Sequence, residues 1–171
     1  MNKTPYDMNS GLWPTLKECF FREREFRVIR QEGDRCVSTS LAILAGGKPE
    51  HFCDVINTQD PVSWSKSLQA SGMQFAYCPT DARKLQFYIP ELIELDDLFT
   101  LSYYTRTDPD TILKDPNDKG WVCGSHIVVM HRDKILDPAT GAVTEAKKHH
   151  CNNYHTKRVF RVVPAGYQRS L

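Results

Sequence analysis

The apolar residues of this chain change their period near residue 73, and that change restricts the fold more than any other feature. Before it they recur at helical spacing. Val37, Leu41, Leu44 and Ala45 make one helical face, Asp34 stands ahead of them as a cap, and Gly46-Gly47 supplies the stop. Pro49 to Ile56 reads as a second helix. A third has Asp60 as cap, Pro61 in its first turn and Gly72 after its end. From Met73 onward the pattern is that of strands: Met73 to Tyr77, Leu98 to Thr105, Trp121 to His131, Lys134 to Asp137 and Arg158 to Val163. A shorter alternation from Phe26 to Ile29 reads as a strand ahead of the first helix. Pro90 prevents one continuous helix across Ala82 to Leu95, and Asp108-Pro109 with Asp115 to Gly120 marks a long polar loop. Helices followed by mostly antiparallel strands predict an α+β fold. A length of 171 residues suits a single domain, with its helical part at about 34–72 and its sheet part at about 73–163.

Charge and cysteine usage narrow the surroundings. The formal net charge is +1, so no strong overall field draws nucleic acid or an anionic membrane, and neither partner is expected. No apolar run approaches the roughly 20 residues that span a bilayer, and the first residues lack the pattern of a secretion signal. The six cysteines then read as free thiols in a reducing cytoplasm, with delivery by a specialised export system compatible with the same sequence. Oligomeric state has no signature here.

One set of residues carries chemistry. A reactive thiol needs its thiolate stabilised, and a helix N-terminus does this through unpaired N–H groups and the helix dipole. Cys36 falls in the first turn of the first predicted helix. The bland alternative is a small buried apolar residue, the fate of most free cysteines. A base must reach the thiol. His126 opens an apolar strand just after the small pair Gly124-Ser125. If Arg132-Asp133 is a tight hairpin loop, His131 faces Lys134, Met130 faces Ile135 and Val128 faces Asp137. His126 shares the face of Val128, so His126 and Asp137 become diagonal neighbours roughly 7–8 Å apart at the backbone, within reach of an imidazole and a carboxylate. A loop of odd length would put them on opposite faces. Asp137 would then fix the tautomer of the base. It also begins a good turn, Asp137-Pro138-Ala139-Thr140-Gly141, and the two roles are compatible. Gln31, five residues before Cys36, is a candidate oxyanion donor together with the Cys36 amide.

These residues resemble the papain-like superfamily of cysteine peptidases, and within it the bacteriocin-processing, peptidase C39-like branch. The order of that family is Gln, Cys at a helix start, His on a strand, then Asp or Asn on the next strand. Here it corresponds to Gln31, Cys36-Val-Ser-Thr-Ser-Leu-Ala-Ile-Leu, His126-Ile-Val-Val-Met and Leu136-Asp137-Pro-Ala-Thr-Gly141. Residues 29–47 and 121–141 carry the likeness. Val37 stands where the family often has glycine, and the Gln31–Cys36 separation is one residue shorter than usual. The resemblance implies a helical lobe packed on an antiparallel sheet and catalysis without a cofactor. It implies a thiol-dependent hydrolase that cleaves a peptide or isopeptide bond of a protein or peptide substrate through a thioester. A deamidase, amidase or transacylase would use the same triad.

A different class competes with these. Cys123-x-x-His126 has zinc-ligand spacing, and His149, His150, Cys151 and His155 could complete a site in a structural or binding module. Against it, the second cluster is irregular and lies in a polar run, Lys147 to His155, that reads as solvated.

Overall fold

The computed structural model of the chain describes residues 19–33, 35–105 and 125–167. Ten elements build it: α1 (Cys36–Ala45), α2 (Glu50–Cys53), α3 (Pro61–Leu68), β1 (Met73–Cys78), α4 (Ile89–Leu95), β2 (Leu98–Tyr104), β3 (Ser125–His131), β4 (Lys134–Asp137), β5 (Ala142–Glu145) and β6 (Thr156–Pro164). The six strands form one sheet in the order β1-β6-β2-β3-β4-β5, and every neighbouring pair is antiparallel. The α+β expectation therefore holds.

Alternation of side chains sends two apolar sets to opposite faces of this sheet. Phe75, Leu98, Ile127, Val129, Phe160 and Val162 meet α1, Phe52 of α2 and Trp64 and Leu68 of α3 on one face. Phe99, Leu101, Tyr103, Val128, Met130 and Val159 meet Ile89, Leu92 and Leu95 of α4 on the other, together with Ala146 and Cys151. The central strands are thus covered on both sides, which is why β2 is buried from Leu98 to Tyr103 rather than at alternate residues.

Local chemistry sets several ends. The Asp60 carboxylate accepts from the Val62 amide, with Pro61 at the first position of α3. Gly46 closes α1 with φ 72°. The β3–β4 hairpin turns through Arg132-Asp133, with His131 opposite Lys134 and Met130 opposite Ile135. Arg132 takes φ 58°, the positive value that a two-residue hairpin loop requires of its first residue. Its guanidinium is anchored on Asp96 at 3.0 Å.

Three sequence expectations change. Phe26 to Ile29 joins no ladder: Phe26, Val28 and Ile29 use their alternation to pack on the α1-side core, and the arm is tied down by the Gln31 amide donating to the Pro138 carbonyl at 2.7 Å. The second helix is only four residues long, because Phe52 is its one buried anchor. β5 is an additional strand, exposed along its length, so it shows no inward apolar alternation to read. The expected cap Asp34 and the segment from Trp121 to Gly124 lie outside the described residues, and the N-cap position of α1 is Arg35.

Away from the hairpin the fold is tied together by one buried ion pair. Arg161 on β6 donates to Asp97 at 2.8 Å with both side chains fully buried, and the Asp97 carboxylate also accepts from the Phe20 and Phe21 amides. One carboxylate thereby joins the middle of the sheet to the N-terminal arm. Asp97→Ala should destabilise the protein by about 3–5 kcal/mol, the usual cost of removing one partner of a buried pair. Urea unfolding measures this as a lower midpoint with little change in slope.

Candidate functional site

The site lies at the end of the sheet where β3 and β6 begin and β2 ends. α1 brings Cys36 there as its first helical residue, and β3 brings His126 one residue inside its start. The hairpin register sets Asp137 at the end of β4, on the face of His126. His126 Nε2–H donates to Asp137 Oδ1 at 2.9 Å. Cys36 stands close enough to the same ring to raise its pKa. With Nε2 engaged by Asp137, Nδ1 is the nitrogen left for the sulfur. Three residues chosen from the sequence therefore gather at one sheet end, with His126 bonded to Asp137 and Cys36 beside the ring.

Gln31 is near but differently engaged. Its backbone holds Pro138, and its side-chain amide donates to the Gly33 carbonyl at 2.7 Å, so one of its two amide hydrogens is committed locally.

The electrostatics follow from burial and from these bonds. Burial, the largest influence on His126, pulls its pKa down. The hydrogen bonds to Asp137 and to Cys36 pull it up and prevail, to about 9. Burial would raise Asp137, but bonds from His126, His149 and the Ala139 amide hold its carboxyl below the usual range. Tyr103 packs edge-on against His126 at 5.7 Å, and its hydroxyl is pushed far up, first by burial and then by the charge of Asp137. Cys78 and Cys151 are buried thiols pushed up to about 12.

Sequence reasoning weighed His149 only as a zinc ligand and missed its bond to Asp137. Its Nε2 lies 2.8 Å from Asp137 Oδ2 and its side chain is 4% exposed. The run Lys147 to His155 looks solvated by composition, yet His149 and Cys151 turn inward while Lys147, Lys148 and His150 stay outside. No periodicity announces that, since two short turns of 3₁₀ helix carry the segment. The one available signal was that Asp137 has two oxygens and three histidines follow it within the next 20 residues.

A metal site from these residues fits poorly. Donor atoms of Asp137, His149 and His150 lie within 4.8 Å of one another. Both oxygens of Asp137 and both nitrogens of His149 already hold hydrogen-bond partners. His155 is turned away toward the Ala82 carbonyl at 2.7 Å, and Cys123 lies outside the described residues.

Cations and aromatic rings lie at the same sheet end. Lys157 Nζ sits 5.9 Å from the Tyr104 ring centre and 3.3 Å from Ser125 Oγ. The Arg158 guanidinium sits 5.9 Å from the ring centre of Trp64. Tyr77 on β1 and Tyr104 on β2 are half-buried. Burial and Arg158 lower the pKa of Lys157, and the sulfur of Cys36 acts in the opposite direction.

The chain is similar to a single-strand DNA-binding protein of Agrobacterium fabrum (strain C58 / ATCC 33970), with 26% identity over 129 residues. The match covers 75% of this chain and 23% of that protein, so the chain spans about a quarter of the length of this relative. No family model matches the sequence, and no solved structure matches it. None of the described helices is long and apolar enough to cross a membrane.

This relative overturns the expectation of a hydrolase or cysteine protease acting on peptide or isopeptide bonds, along with its deamidase, amidase and transacylase variants. It also overturns the expectation that nucleic acid is not a partner. The physical reasons are separate. The order Gln, Cys, His, Asp specifies which side chains meet, not which molecule is held beside them. Net charge sums over the whole chain, and +1 conceals cations gathered at one sheet end.

The raised pKa of His126 has a sign that can be checked. The folded state binds this proton more tightly than the unfolded state does. The resulting stabilisation is fully present below about pH 6.5 and is lost as pH rises through about 9. NMR of the His126 ring should show titration near 9 in the intact protein, and at lower pH in Cys36→Ala and in Asp137→Asn, each of which removes one of the upward influences.

Proposed function

We propose that this chain is a module that binds single-stranded nucleic acid along the sheet end beside Cys36. The observation that carries the reading is the similarity over 75% of the chain to a single-strand DNA-binding protein. The geometry supports it. Nonspecific single-strand binding combines cations that track phosphates with aromatic rings on which bases stack. Lys157 and Arg158 supply the cations, and Tyr104 and Tyr77 supply half-buried rings at the same sheet end. Free thiols at Cys19, Cys36, Cys53, Cys78 and Cys151 support a reducing, cytoplasmic setting.

Fluorescence anisotropy with a labelled oligothymidine tests this. Binding should weaken with salt. The double variant Lys157→Ala/Arg158→Ala should flatten the log–log salt slope by about 1.4, at about 0.7 per phosphate contact on a single strand. Tyr104→Ala should cost about 1–3 kcal/mol if a base stacks there. Absence of binding at low salt, or variants that bind as the parent does, would refute the reading.

A second reading is favoured by the bond of His126 to Asp137 and by the placement of Cys36 beside His126. In it the chain is also an enzyme of the cysteine-nucleophile class, with a papain-like placement of its residues. Cys36 is the nucleophile, His126 holds and returns its proton, and Asp137 orients His126. A ring that keeps its proton at neutral pH sets the sulfur beside a positive charge, the environment that favours nucleophilic thiols. Alkylation by iodoacetamide, read site by site by mass spectrometry, should modify Cys36 ahead of the buried Cys78 and Cys151. His126→Ala should slow it on the order of 100-fold. Equal reactivity at all sites would dismiss this second reading.

A further inference from the structure

We infer that His149 is a positioning residue of the thiol site: its Nε2–H fixes the Asp137 carboxylate that in turn orients His126. The inference rests on the second reading above, in which Cys36, His126 and Asp137 act together.

The bonding of a single buried carboxylate leads there. Asp137 Oδ1 accepts from His126 at 2.9 Å and from the Ala139 amide at 2.9 Å. Oδ2 has a different partner, His149 at 2.8 Å. The side chain is only 2% exposed, so water is a poor substitute donor for Oδ2. A buried carboxylate with one oxygen unsatisfied would turn toward another donor or take up a proton. Either response weakens its hold on His126. His149 prevents both, because a second donor on the opposite oxygen stops rotation and keeps the group ionised.

The ring of His149 is built to donate and not to accept at that position. Its Nδ1 accepts from the Cys151 amide at 3.0 Å, which leaves the ring hydrogen on Nε2, facing Asp137. The Asn152 side-chain amide bridges the carbonyls of Ala146 and His149 at 2.7 and 2.8 Å and so fixes the turn. The His150 ring stacks on His149 at 4.2 Å between centres, and the Tyr103 hydroxyl lies 3.3 Å from His150 Nε2. An imidazole held on this many sides resembles the outer partners that set ring orientation in other histidine sites.

The titratable groups around Asp137 and His149 are Cys36 from α1, Tyr103 from β2, His126 from β3, and His150, Cys151 and Tyr154 from the following segment. Among the hydrogen bonds that hold Asp137 ionised, the one from His149 follows that from His126 in weight.

Two amide substitutions separate positioning from packing. Glutamine at 149 can place an N–H close to where Nε2 was, whereas asparagine reaches only as far as Nδ1. The experiment follows the Asp137 side-chain carboxyl by carbon NMR across pH, alongside the pH profile of Cys36 alkylation. In His149→Asn, Asp137 should titrate about one pH unit or more higher, and the low-pH limb of Cys36 alkylation should move up with it. His149→Gln should restore most of both. His149→Leu reads the same loss where His149→Asn does not fold. A folded His149→Asn or His149→Leu whose Asp137 titration matches the parent would overturn the inference and leave the thiol reading standing. Slow, unselective alkylation of Cys36 in the parent would remove the site on which the inference rests, whatever Asp137 does.

Discussion

The Asp137 carboxylate is the constraint on which the site depends. It is buried, it begins the turn after β4, and it binds two imidazoles through different oxygens. A charge so placed is unfavourable by itself, and three short N–H contacts, from His126, His149 and the Ala139 amide, offset that. The side-chain contacts and the Ala139 amide stabilise the charge directly, and the Gly141 amide, donating to the Asp137 carbonyl at 2.8 Å, fixes the turn that aims it. Gly141 has φ 69°, and a Cβ there would lie 3.0 Å from the Arg30 side chain. The turn, the arm ahead of α1 and the carboxylate therefore form one assembly.

The second organising charge, Asp97, acts at the other end of β2. It joins Arg161 to the arm through the Phe20 and Phe21 amides, so the arm is held at both ends, by Asp97 and by Pro138. That tether carries the chain from the start of β2 to the N-terminus of α1, and sets where Cys36 begins its helix. Removal of a buried partner from such a pair is far more damaging than loss of an exposed ion pair such as Lys134 with Glu145.

Much of this was legible from residues. The α+β order, the stop at Gly46, the cap at Asp60 and the register of the β3–β4 hairpin follow from local rules, because glycine, proline and period-two alternation act over a few residues. The proximity of His126 and Asp137 followed from the two-residue loop alone. What local rules could not supply was nonlocal. Phe26 to Ile29 alternates as a strand does, but its inward residues pack on the α1-side core without joining the sheet. His149 is buried because the chain folds back across Asp137 after β5, which no window around residue 149 reveals. The gathering of Lys157, Arg158, Tyr104 and Tyr77 depends on β6 inserting between β1 and β2, a nonlocal pairing that whole-chain net charge cannot register.

Single-stranded nucleic acid is proposed to lie on the sheet end beside Cys36. Titration of isotope-labelled protein with oligothymidine, followed residue by residue by NMR, tests it most directly. Shifts should concentrate at Tyr77, Tyr104, Ser125, Lys157 and Arg158, with β5 unaffected. Shifts confined to β5 and the α4 face, or none at saturating oligonucleotide, would contradict it.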